Sequence, residues 1–221
     1  MPEAGSPALV SLMALTVSLG LLTFFVVTTT SFIKIAVVLF IVRNAIGIQQ
    51  TPPNIVLYGI ALALTAFVTA PMFTEMAEAV FVPDMEFQDF GDWMAAFDRA
   101  KEPVRAFLMR FTDPDQRSFF LLASEQVWPE GETQPFTETD LSVLIPSFLV
   151  MELQRAFEIG FLLYLPMIVI DLVVTTVLMA MGMSMVSPTT IATPLKLFLF
   201  VSISGWGRLV EGLVMTYSNT A

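Results

Sequence analysis

Long apolar runs, each interrupted by a single charge, set the architecture of this chain. Residues 4–33 carry no charge, and residues 8–27 alone suffice to cross a hydrocarbon core of about 30 Å. Lys34 interrupts the run, residues 35–42 resume it, and Arg43 closes it. A polar stretch then runs into Pro52, Pro53 and Asn54, a breaker because each proline drives the residue before it out of helical conformation. Residues 55–72 form a second apolar segment, ending near Pro71, Glu75 and Glu78, so the pattern predicts an antiparallel helical hairpin over residues 1–82.

Residues 83–140 change character. Asp84, Glu86, Asp89, Asp92, Asp98, Glu102, Asp113 and Asp115 make this stretch acidic, with amphipathic helices predicted over 90–111 and 114–126 and a loop at 130–134. It reads as a solvated, partly mobile insert. Thr137 or Asp140 is placed to cap a third long element, apolar over 159–181 except for Pro166 and Asp171. A fourth apolar element runs over 191–217, so residues 141–221 form a second hairpin with a methionine-rich tip at 181–188. The fold class is all-α: two long kinked helical hairpins with an amphipathic helical insert.

Composition narrows the function. Of 221 residues, 56% are hydrophobic and 14% charged, against about 25% charged in soluble domains, which puts the chain in the membrane class. A net charge of −10 disfavours nucleic acid as a partner. There is no cysteine for a disulfide or thiolate site, and no histidine to act as general base or metal ligand. No enzyme, cofactor or metal site is expected. No Lys or Arg precedes the first apolar run, so it is read as retained rather than cleaved. Lys34, Arg43 and Lys196 place both hairpin turns on the cytoplasmic side and the acidic insert outside.

The few charges of the second hairpin mirror one another. Folded at about Met183, Asp171 faces Lys196, Glu158 faces Arg208, and Arg155 faces Glu211, each with opposite sign. Unpaired charge in apolar surroundings costs several kcal/mol, so three cross-pairs are expected to fix the register. Asp171 has two other readings, a backbone-satisfying carboxylate or a proton relay. A looser match sets Lys34 opposite Glu75 or Glu78. Hydroxyls within apolar runs (residues 28–31, Thr175, Thr176, Ser202, Ser204), together with Gly160, Gly205, Gly207 and Gly212, suit close helix packing against copies or partner subunits. Met179, Met181, Met183 and Met185 in turn suit either ordinary core packing or an adaptable surface.

Several stretches together resemble the export-gate protein of type III secretion systems, the SctR/FliP family. The likeness runs through Thr30, Ser31, Phe32, Lys34 and Ile35, through Val42, Arg43, Asn44, Ala45, Ile46 and Gly47, and through Pro52, Pro53 and Asn54. It continues in Ile145, Pro146, Ser147 and Phe148, in Glu152 and Leu153, in residues 156–161, in Asp171, in residues 181–188, in Pro194, Leu195, Lys196 and Leu197, and in Gly205 and Trp206. Ser184, where the flagellar branch has methionine, and the absence of a leader-like start favour the virulence-type branch. The resemblance implies a homo-oligomer, in the family a pentamer, joined to SctS/FliQ-like and SctT/FliR-like subunits and to needle or rod base proteins. That assembly sits at the inner membrane, projects to its periplasmic side and passes unfolded proteins. It also implies that Met183, Ser184 and Met185 line the narrowest part of the pore as a gasket. The alternatives are an ion or small-molecule transporter using Asp171, and a purely structural assembly scaffold.

Overall fold

The computed structural model describes residues 7–48, 50–81, 89–127, 136–183 and 185–218. Their regular structure is helical throughout: α1 (Pro7–Thr29), α2 (Phe32–Ile46), α3 (Asn54–Val80), α4 (Phe90–Phe111), α5 (Pro114–Val127), α6 (Leu141–Ala180), α7 (Pro188–Ser202) and α8 (Gly205–Met215).

The first apolar run is two helices, because its hydroxyls compete with the backbone. Thr28 and Thr29 donate back to the carbonyls of Phe24 and Phe25 at 2.8 and 2.7 Å, and Thr30 does the same to Val26. Such back-bonding loosens a helix, and the chain breaks at Thr30–Ser31. Beyond the break, α2 is the axis of the fold. Ile35, Val38, Leu39, Val42, Ala45 and Ile46 are buried against Leu57 and Ala61 of α3, Ala156 and Met167 of α6, Phe200 of α7 and Leu209 and Leu213 of α8. At its far end Gly47 adopts φ +84, and Arg43 closes the turn into α3 by donating to Pro52 O (3.2 Å) and Asn54 Oδ1 (2.6 Å).

The insert is less solvated than its charge suggests. Val104, Phe107 and Leu108 of α4 share a second core with Met72 of α3 and Leu144, Phe148 and Met151 of α6. Ser147 donates to Gln116 O at 3.2 Å, and Arg155 pairs with Asp113 at 2.7 Å, tying the start of α5 to α6. The acidic residues thus lie on the outer face of a docked pair of helices. Asp84, Glu86 and the 130–134 loop lie outside the described residues. At the start of α6, Asp140 is the N-cap residue, but its carboxylate accepts from the Thr137 amide (2.7 Å) and hydroxyl (3.0 Å) instead of from the helix's own amides.

The second hairpin is bent. α7 and α8 meet at 61° across Ile203–Ser204, where Ser204 takes the left-handed conformation (φ 55, ψ 43). Gly205 makes the bend possible, since a Cβ there would lie 2.5 Å from the Phe200 ring, which also stacks edge-on against Trp206 at 5.3 Å. Among the described residues three helices (Ser11–Thr29, Asn54–Val80 and Leu141–Ala180) are long and apolar enough to cross a membrane, and the bent α7–α8 pair makes a fourth if taken as one span.

Candidate functional site: the methionine tip and its anchors

The fold-back point between α6 and α7 is tightly built. Helix α6 ends in a Schellman arrangement, with Met183 N–H donating to Leu178 O and Gly182 N–H to Met179 O, both at 3.0 Å. Gly182 sits at φ +72, a conformation that costs other residues about 1 kcal/mol or more. The return helix starts at Pro188, whose fixed φ and missing N–H suit a first helical position, with the Ser187 and Thr189 hydroxyls bonded at 2.8 Å. Val186 and Ala192 pin the tip against Val174 and Leu178. The methionines point the other way: Met179 is 65% exposed, Met181 66%, Met183 40% and Met185 99%. None of them belongs to the chain's own core. Ser184 lies outside the described residues. Gly182→Ala is expected to destabilise the tip by about 1 kcal/mol and to speed hydrogen exchange at the Met183 amide, measured by exchange mass spectrometry.

Below the tip, Lys196 joins three helices. Its buried ammonium lies 2.5 Å from Asp171 Oδ2 on α6 and donates to the carbonyl of Ala45 at 3.2 Å. Ala45 is in the last turn of α2, where a cation also answers the helix dipole. This is one of the three mirrored charge pairs. The other two do not form. Arg155 pairs with Asp113, Glu158 accepts from Gln154 Nε2 at 3.0 Å, and Arg208 and Glu211 are exposed without an ion-pair partner among the described residues. The bend at Ser204 is the physical reason, because it turns α8 off the line of α6.

A second anchor joins α2 to α6. Lys34, fully buried, lies 3.2 Å from Glu152 Oε1 and 3.6 Å above the Tyr217 ring, while the Tyr217 hydroxyl donates to the other carboxylate oxygen of Glu152. Glu75 and Glu78, expected opposite Lys34, are exposed. Adjacency along the chain favours Glu75 and Glu78, whereas α2 lies along α6 with its Lys34 end against Glu152. The available signal is Lys34, which interrupts an apolar run alone and so needs a partner; Glu152 is masked in the sequence by Arg155 and Glu158 close behind it. Among the described residues no cluster of three or more metal-ligating side chains occurs.

The FliP family model matches residues 15–213. The chain is 56% identical over 212 residues to "Probable translocation protein y4yL" of Sinorhizobium fredii, covering 96% of both chains. It is 44% identical over 199 residues to "Yop proteins translocation protein R" of Yersinia pestis, covering 90% of this chain and 92% of that one. To "Flagellar biosynthetic protein FliP" of Caulobacter vibrioides it is 43% identical over 212 residues, covering 96% of this chain and 77% of that one.

Proposed function

The chain belongs to the FliP family, and from that premise we propose that it is a core subunit of a virulence-type type III secretion export gate. It forms a pore for unfolded proteins at the inner membrane, as a pentamer with SctS/FliQ-like and SctT/FliR-like subunits. The assembly projects to the periplasmic side toward the needle or rod base, with both hairpin turns facing the cytoplasm. The higher identity to the translocation protein of Sinorhizobium than to the flagellar protein of Caulobacter supports the virulence-type branch.

The observation that carries the reading is the outward-facing set of methionines at a fold-back point turned by Gly182, packed through Val186 and braced below by Lys196. Apolar side chains exposed together in one chain mark a surface that a further copy or partner covers. Methionine is unbranched and polarizable, so a ring of Met183, Ser184 and Met185 from several copies closes on itself and adapts around diverse polypeptides. An apolar constriction of this kind also seals against ions by excluding water.

In the assembled complex, Met183→Ala with Met185→Ala is expected to raise ion leakage, read as conductance in a planar bilayer, while the particle keeps its size. An intact particle that leaks no more than the unsubstituted one sinks the gasket. If removing the tip prevents assembly altogether, the tip is a scaffold rather than a seal.

A further inference from the structure

Two features left unmatched within one chain fit each other between two. A cavity of about 490 Å3 opens among α6, α7 and α8, floored by Val42 and walled by Pro166, Ile203 and Leu209. The single charged side chain in its lining is Arg208, exposed and without an ion pair among the described residues. A second feature lies on α6 itself. Phe157, Phe161, Leu165, Ile168 and Leu172 are all exposed, and at 3.6 residues per turn they fall within an arc of about 80°. The α6 residues that wall the cavity are centred about 170° round the same helix, so stripe and cavity face away from each other. Glu158 borders the stripe, and no cation meets it among the described residues.

We propose that the α6 stripe of one copy seats in the α7–α8 cavity of the next, with Glu158 against Arg208 of that neighbour. This rests on the homo-oligomer reading above and gives it a geometry. The contact is heterologous, a different face from each partner, so repetition adds copy after copy, in a ring where the rotation closes and a helix where it does not, instead of stopping at a dimer. Charge complementarity selects the occupant. An anionic lipid would answer Arg208 but leave Glu158 unmatched and its stripe uncovered; a second copy answers both. The bend at Ser204 is what frees the pair, since it withholds Arg208 from its own chain's Glu158.

The test uses the chain co-expressed with its partner subunits. Glu158→Arg and Arg208→Glu are each expected to lower the yield of full-size particle at least severalfold by native mass spectrometry, and the two together to restore it. The chain has no cysteine, so Phe161→Cys chains mixed with Ile203→Cys chains should give a disulfide-linked dimer that neither gives alone. Full-size particles from both single charge variants, or a double variant no better than the singles, overturn this interface and leave the oligomer standing. An unsubstituted chain that stays monomeric among its partners overturns both. A retained phospholipid that Arg208→Glu releases, with no cross-link, assigns the cavity to lipid and overturns the interface.

Discussion

Lys34→Met is expected to cost about 3–5 kcal/mol, because it leaves the Glu152 carboxylate buried without its cation. Both side chains are fully buried, so water cannot take the place of the missing partner. Glu152→Leu should do comparable damage for the same reason, stranding the ammonium under the Tyr217 ring. Replacing both together removes the stranded charge, and the double variant is expected to be more stable than either single one. Tyr217→Phe removes a single bond to the carboxylate and should cost about 1.5–3 kcal/mol. Thermal midpoints in mild detergent, compared as a double-mutant cycle, check this. A coupling energy near zero between Lys34 and Glu152 would sink the account.

Lys196→Leu is expected to cost about 1–3 kcal/mol, less than the Lys34 change. It deletes the bond to the Ala45 carbonyl as well as the ion pair, but the Asp171 side chain is 44% exposed and can be hydrated when its partner goes. Asp171→Asn keeps an oxygen that can accept from the ammonium, so its cost should stay within about 1 kcal/mol and secretion should persist. This asymmetry separates a holding role from a proton relay. Secretion lost on Asp171→Asn, with assembly and thermal midpoint unchanged, would favour the transport reading.

The sequence spoke clearly wherever one helix decided the matter. The bounds of α4 and α5 follow from amphipathic periodicity, and the fold-back near Met183 follows from Asp171 and Lys196 standing 12 and 13 residues to either side. What stayed hidden depended on a backbone choice with no side-chain signature. Ser204 in the left-handed region is one such choice, since serine does not advertise it as glycine would. That residue separates one charge pair that forms within the chain from two that do not. The docking of the insert was hidden differently. Acidic residues dominate its composition, while the few positions that matter for packing, such as Phe107 and Leu108, are a minority spaced along one face. The pairing of Lys34 with Glu152, 118 positions away, required knowing that α2 lies against α6 as well as against its neighbour α3.

Tyr217 also gives the fold a direction in time. Lys34 comes first along the chain and Glu152 follows 118 positions later, but the ring against the ammonium and the hydroxyl on the carboxylate both come from Tyr217, 65 positions further on. A nascent polypeptide shorter than 217 residues therefore holds two opposite charges under an unfinished cover. Along the chain the two charges thus stand complete 65 positions before the hydroxyl and ring that finish their surroundings, so the α2–α6 pairing precedes its own cover.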